Sequence, residues 1–275
     1  MESPQQSQLK KLPRLKPRGG LNVMRAAIRA LLFRELQTRF GQYRLGYVWV
    51  LLEPLLTIGF KLFIFGSLMQ RVLPGISYEI FLVNGILPFF MFRSGVSQSL
   101  SATQSNKGLF SYKPVKPIDA MLARNILELV LKFIAYLFFT FALLWVGLSI
   151  SFNQIPELLI YWIILFCFTI SFSLIFMVLG DFSKELGKFL SALFVILFFI
   201  SGIFYSIHMV PVEFREYLLW NPLIHIIELM RHAVAPTYPL VPGISLQYFL
   251  LWTILSLFLG LLLYKRFERR MVKSK

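Results

Sequence analysis

Ser97–Arg124 reads SQSLSATQSNKGLFSYKPVKPIDAMLAR, a polar and basic interruption between two apolar segments that are each long enough to cross a bilayer. It begins as a hydroxyl- and amide-rich helix continuation and passes through Asn106-Lys107-Gly108. It then carries Lys113-Pro114 and Lys116-Pro117 before apolar sequence resumes. A chain with 57% apolar residues and a mean hydropathy of +0.70 is not a soluble domain, so this interruption is read as a loop between membrane spans.

Working outward from it, six apolar runs emerge, at approximately 48–70, 79–101, 125–148, 158–180, 188–207 and 246–265. Each has on the order of 20 residues, enough at ~1.5 Å per residue for a hydrocarbon core of ~30 Å. Outside the runs, one face collects ten Lys and Arg before Tyr47, four in 102–124, two in 181–188 and six after Leu263, while the other collects Arg71, Arg215 and Arg231. The positive-inside rule places both termini in the cytoplasm. This distribution also accounts for the net charge of +15 without nucleic acid.

The fold expected is an all-α integral membrane protein. Residues 1–20 are a polar tail with no apolar core behind its charges, so no cleavable signal is expected. Residues 21–47 hold an amphipathic interface helix and the entry to the first span. Its stripe is Leu21, Met24, Ile28, Leu31 and Leu32, flanked by Arg25, Arg29 and Arg34, and Glu35 interrupts the apolar side. A six-span domain covers 48–265, with a cytoplasmic loop at about 104–122 and a hairpin at about 208–240, and 266–275 form a basic tail. In the hairpin, Asn221-Pro222 reads as N-cap and first helical residue, so two short helices meet there. Its charges forbid a span and its aromatics argue against a plain solvated loop, which predicts a re-entrant helical hairpin in the outer leaflet. A helical cap lying flat on the surface is the alternative.

Charges inside the runs must face protein or water, because each costs about 2.5–3.5 kcal/mol near the bilayer centre. Arg124, Glu128 and Lys132 stand at i, i+4, i+8, where Glu128 is expected to pair in both directions along its own helix. Arg93 opens a polar stripe through Ser94, Ser97, Gln98, Ser101 and Gln104, the pattern of a water-lined path, although the serines also suit close helix packing. Lys61 lies ~20 Å along its helix from the inner end, too deep for easy snorkelling. Cys167 is the sole cysteine and permits neither an intrachain disulfide nor a cysteine metal site. No G-x-x-x-x-G-K-[ST] and no H-E-x-x-H occurs. No catalytic residue, metal site or cofactor is therefore assigned to this chain.

Two motifs carry a family likeness. Arg44-Leu45-Gly46-Tyr47-Val48-Trp49-Val50-Leu51-Leu52-Glu53-Pro54 resembles the L-G-x-x-W-x-x-x-x-P signature of ABC-2-type export permeases. Trp220-Asn221-Pro222-Leu223, with Glu228 and Arg231, is similar to that family's N-P motif before the final span. Within the family, the pattern over residues ~21–265 most resembles the capsular-polysaccharide export permeases of the KpsM type. The resemblance implies a homodimer in the bacterial inner membrane, two copies of a separate ATPase that binds ATP and Mg, and a lipid-linked glycan passing between the protomers. A periplasmic adaptor and an outer-membrane exporter follow by the same analogy.

The resemblance further implies that the loop after the second span couples to the ATPase, with Lys107, Gly108, Leu109, Phe110 and Tyr112 as the mapped positions. Leu109, Phe110 and Tyr112 are expected to fill a pocket while Lys107, Lys113 and Lys116 meet acidic rims. Lys61, Arg93, Ser97, Gln98 and Ser101 are the expected substrate path, and Trp220, Asn221, Pro222, Glu228 and Arg231 the outer gate. Other readings stay open at this point: an O-antigen, teichoic-acid, lipid or drug permease, a secondary transporter, or an intramembrane enzyme using His208, His225 and His232 with Glu213, Glu216 and Glu228.

Overall fold

The structure, a computed structural model, describes residues 19–40, 48–69, 73–110, 115–183 and 185–272. Among the described residues the fold is all-helical, with no strand. The helices are α1 Gly20–Phe40, α2 Val48–Met69, α3 Tyr78–Leu100, α4 Ala102–Asn106, α5 Pro117–Trp145, α6 Ile155–Phe182, α7 Leu186–Ile200, α8 Val212–Leu218, α9 Pro222–Val234 and α10 Leu246–Val272. Short 3₁₀ turns occupy Lys107–Leu109 and Ile207–Met209.

Among the described residues, four helices are long and apolar enough to cross a membrane: α3, α5, α6 and α10. The first expected run is the 22-residue α2. The fifth is shorter than expected, because α7 has 15 residues, a rise of ~22 Å. Helix α7 stops at Ile200 for two local reasons. Gly202 takes φ +60°, a left-handed conformation that glycine adopts without penalty. The carbonyls of Gly202 and Ile203 then turn to the Arg231 guanidinium, at 2.9 and 3.0 Å, instead of continuing a helix. The sixth departs in the other direction: α10 continues as helix to Val272, where a basic tail was expected from residue 266.

Helix α3 is the centre of the molecule. Seventeen of its 23 residues are buried, against six of 27 in α10. It packs on α5 and α6, and α6 packs in turn on α10. Lipid tails are as apolar as leucine, so association of such helices rests on close packing and interhelical hydrogen bonds. Both are present. A Cβ on Gly180 would stand 2.1 Å from the Leu100 carbonyl oxygen, so only glycine lets α6 touch the end of α3. Asn125 Nδ2 on α5 donates to Ser99 Oγ on α3 at 2.8 Å, and Ser173 Oγ on α6 donates to Asn125 Oδ1 at 3.0 Å. Tyr136 OH adds a bond to Asn84 Oδ1 at 2.7 Å. Ser171 and Ser256 hydrogen-bond at 2.6 Å between α6 and α10.

The aromatic residues divide as the composition suggests. Phe92, Phe168, Phe172 and Phe249 interlock at centroid distances of 4.7–5.7 Å in the core. Phe63, Phe141 and Phe258 are exposed on the outside of the bundle.

At the end of the molecule away from the basic loop, two short helices meet at Asn221 as the sequence predicts. Asn221 Oδ1 accepts from the Leu223 N–H at 3.1 Å, and its amide donates to Ser201 Oγ at 2.8 Å. The two helices differ in burial. Ten of the 13 residues of α9 are buried, against α3, α6 and α10, whereas α8 has no buried residue.

Candidate functional site

The basic end of the molecule is built around α5. Pro117 starts this helix, its missing N–H falling where no helical partner exists. Asp119 secures the start by accepting from the Lys116 N–H at 2.9 Å. From there Arg124, Glu128 and Lys132 descend one face, all buried.

Their expected pairing along α5 is corrected by the structure. Arg124 Nε donates to Glu35 of α1 at 2.8 Å, Glu128 pairs with Arg39 of α1, and Lys132 pairs with Glu53 of α2 at 3.2 Å. The physical reason is register. Glu35 and Arg39 are themselves four residues apart, so α1 laid against α5 presents opposite charges at matching heights. Interhelix pairs also satisfy buried charges that water no longer reaches. Glu35, which breaks the apolar stripe of α1, is thus a docking residue. That stripe and this pair fix α1 on α5, with Leu31 buried beside Phe110, Ala120 and Ala123. Arg25 and Arg29 stay exposed, and Arg34 donates to Asn106 Oδ1 at 2.9 Å.

That packing corrects the reading of Phe110. Only 3% of it is exposed, and it packs in a cluster of its own chain that anchors the basic loop. Leu109 is half-buried in the same cluster. Gly108 is exposed, and Lys107 and Lys116 keep 41% and 62% of their side chains accessible. Tyr112 and Lys113 lie outside the described residues, as does Arg44–Tyr47 of the first motif.

The expected path residues occupy the open side of α3. Arg93, Ser97, Ser101 and Ser105 are exposed at four-residue spacing on and just past a helix that is otherwise buried. Among the described residues Arg93 has no carboxylate within ion-pair distance; its guanidinium sits 5.8 Å from the Phe90 ring. Ser101 Oγ accepts from Arg124 at 3.0 Å and the Gln98 carbonyl accepts from the same guanidinium at 2.8 Å, so these two residues also belong to the charge ladder. The Lys61 ammonium lies among three rings, 4.7 Å from Phe204 and 5.8 Å from Phe65 and Phe198. Cation–π attraction steadies it there while leaving its charge unneutralised.

The residues expected at the outer gate separate into two kinds. Trp220 is 73% exposed. Glu228 and Arg231 are fully buried and pair at 2.8 Å, and Arg231 also reaches three carbonyls and lies 3.4 Å over Phe81. That arrangement locks α9 to α3 and to the turn after α7. Asn221 and Pro222 shape the helix start. The three histidines serve backbone groups. His208 and His232 face the carbonyls of Pro239 and Tyr238 at 2.8 Å. His225 accepts from the Ser245 N–H through Nδ1 and donates to the Leu219 carbonyl through Nε2. Burial holds its pKa below the ordinary imidazole value. Among the described residues no histidine pairs with a carboxylate, and no cluster suited to a metal forms.

One further group was not foreseen. Asp181, at the end of α6 and 5% exposed, is approached by Lys107 at 3.7 Å and by Arg270 of α10 at 3.6 Å. Its signal in the sequence was a lone carboxylate closing an apolar run.

Comparison with known proteins agrees with this geometry. The family model described as ABC-2 type transporter matches residues 26–235. The chain is 41% identical over 257 residues to the polysialic acid transport protein KpsM of Escherichia coli, covering 94% of this chain and 99% of that one. It is 25% identical over 253 residues to the capsule polysaccharide export inner-membrane protein CtrC of Neisseria meningitidis and 26% identical to BexB of Haemophilus influenzae, in both cases covering 90% of this chain and 94% of the relative. With a central buried span, an uncovered polar face and a basic loop pinned to an amphipathic helix, this chain belongs to the ABC-2 type transporter family, in its KpsM-type branch.

Proposed function

We propose that this chain is the membrane-spanning permease subunit of an ATP-driven exporter that moves lipid-linked capsular polysaccharide across the inner membrane, through a canal between two copies of itself. The observation that carries the reading is the open side of α3. A span buried on every other side presents Arg93, Ser97 and Ser101 outward, and an unneutralised arginine does not face lipid. A second protomer and the hydrated cargo between them would cover that face. The relatives named for capsule export support the cargo class.

In this reading both termini are cytoplasmic, α1 lies at the inner interface, and six segments cross the membrane, with α7 as a short fifth. Helices α8 and α9 form the hairpin in the outer leaflet. Two copies of a separate ATPase subunit hold ATP and Mg, since the sequence contains no P-loop. They press on the loop 104–122 through Lys107, Gly108, Leu109, Lys113 and Lys116, with Phe110 as the loop's own anchor. The displacement reaches α5 through the charge ladder, rocks α3 against its mate and opens the canal. Lys61 and Arg93 offer positive charge to an acidic glycan or its phospholipid end. Trp220, exposed above the locked Glu228–Arg231 pair, forms the outer rim. A periplasmic adaptor and an outer-membrane exporter would take over the glycan there.

The test is ATP-dependent export of polysaccharide by vesicles containing this chain, with and without the ATPase subunit encoded beside it. Glycan movement that needs both supports the reading. If the pair hydrolyses ATP and no capsular glycan moves, the cargo is another lipid-linked polymer, a lipid or a drug. If the chain never binds the ATPase, the coupling role of the loop falls.

A further inference from the structure

Helix α10 is longer than a membrane requires. Its 27 residues rise ~40 Å against a hydrocarbon core of ~30 Å, and the excess is at the C-terminal end, where apolar sequence gives way at Lys265. Residues 265–272 form two further turns with opposite faces. On one side Tyr264 and Met271 are buried and Phe267 and Glu268 half-buried; on the other, Lys265, Arg266, Arg269 and Arg270 are all exposed.

The inward face grips both arms of the basic loop. Met271 Sδ lies 3.7 Å from Thr103 Oγ1 on the arm entering the loop. Glu268 pairs with Lys116 at 3.6 Å on the arm leaving it. From the edge of the exposed face Arg270 reaches back, so that it and Lys107 converge on the same Asp181, and Arg270 lies 3.9 Å over Phe182, whose ring meets Phe267 at 5.0 Å. The end of the last span is therefore tied to the loop directly at Thr103 and Lys116, and to Lys107 through the shared Asp181 of α6.

We infer that the cytoplasmic end of α10, residues 265–272, is a second docking element for the ATPase subunit, its basic face meeting an acidic surface beside the groove that receives the loop. This rests on the reading of the loop as the coupling element. The exposed face of α10 adjoins Lys107, which shares Asp181 with Arg270, and Lys116, which pairs with Glu268, so a partner seated on the loop comes within reach of both. Glu268, the acidic residue of this segment, is turned inward and neutralised by Lys116, leaving the outward face purely cationic. Arg269 and Arg270 stand ~8 Å past Tyr264 along the axis, beyond the apolar sequence that ends at Lys265. The consequence is a direct mechanical link: the ATPase stroke reaches α10, and through it α6, without passing through α3.

The experiment measures binding of the neighbouring-gene ATPase subunit to the full-length chain in nanodiscs, for wild type, for Arg266→Glu with Arg269→Glu, and for the loop variant Lys113→Glu, which leaves the Lys116–Glu268 pair in place. Arg266 and Arg269 form no ion pair among the described residues, so their reversal leaves the bundle intact, as an unchanged melting profile will verify. The expected result is affinity reduced by about tenfold or more, mainly through slower association and most strongly at low salt, in neutral and anionic nanodiscs alike. Affinity within about twofold of wild type, while the loop variant is weakened, overturns the inference and leaves the coupling loop standing. Loss confined to anionic nanodiscs makes the face a lipid-headgroup site and also overturns it. If wild type does not bind the ATPase, the underlying reading fails as well.

Discussion

Arg124 on α5 donates from Nε to Glu35 on α1 at 2.8 Å, with 7% and 14% of the two side chains accessible. The pair joins the amphipathic helix to the span that follows the basic loop, and Arg124 extends the connection to α3 through Ser101 and the Gln98 carbonyl. Removing one member of so enclosed a pair leaves a charge without a partner. Glu35→Ala is expected to destabilise the protein by about 3–5 kcal/mol. The exchange Glu35→Arg with Arg124→Glu should recover more than half of the loss caused by Glu35→Arg alone, read from chemical unfolding in detergent. No recovery would mean that the pair is geometric coincidence.

Arg231 makes a second prediction at the opposite end. Its guanidinium holds the turn after α7 to α9 and stacks on Phe81 of α3. Arg231→Met removes four hydrogen bonds and orphans Glu228, whose Oε2 already lacks a partner among the described residues. We expect a loss of about 3–5 kcal/mol and early proteolytic cleavage in 201–207. Arg231→Met with Glu228→Leu should restore part of the stability, since no buried charge is then left over.

Trp220 separates function from stability. It is exposed, so Trp220→Ala should leave the unfolding free energy within about 0.5 kcal/mol. A fall in glycan export at unchanged ATPase activity is the expected outcome. Its neighbour Asn221 behaves in the opposite way: Asn221→Ala loses the helix cap and the bond to Ser201, worth about 1 kcal/mol or more.

Gly180→Ala tests the contact between α6 and the end of α3. The added methyl meets a carbonyl oxygen at 2.1 Å and backbone, not a flexible side chain, must move. A cost of about 1–3 kcal/mol is expected, together with altered coupling of ATP hydrolysis to export, because Gln104 donates to the Gly180 carbonyl beside the loop.

His225 gives a pH dependence. Its Nδ1 accepts a backbone bond that protonation abolishes, and burial depresses its folded-state pKa below the ordinary value of about 6.5. The unfolded chain therefore binds the proton first. The stability His225 contributes is complete above about pH 6.5 and is lost as pH falls from there through the lower folded value. Faster amide exchange at Ser245 at pH 5 than at pH 8, after correction for intrinsic rates, is the expected observation. His225→Gln should flatten the dependence.

The sequence by itself determined the all-helical class, the four long apolar helices seen among the described residues and the meeting of two helices at Asn221-Pro222, because those follow from local patterns: apolar length and capping chemistry. It also singled out Arg124, Glu128, Lys132 and the stripe from Arg93. The partners were decided only by tertiary structure. An intrahelical reading of Arg124–Glu128–Lys132 is physically sound for an isolated helix, and it yields here because α1 and α2 bring complementary charges into a space that water leaves. In the same way a loop phenylalanine reads as free until Leu31, Ala120 and Ala123 close over it. Asp181, Lys107 and Arg270 are far apart in the chain and carry no common motif. What joins them is the parallel packing of α6 and α10, which brings the C-terminal ends of both helices to the basic loop.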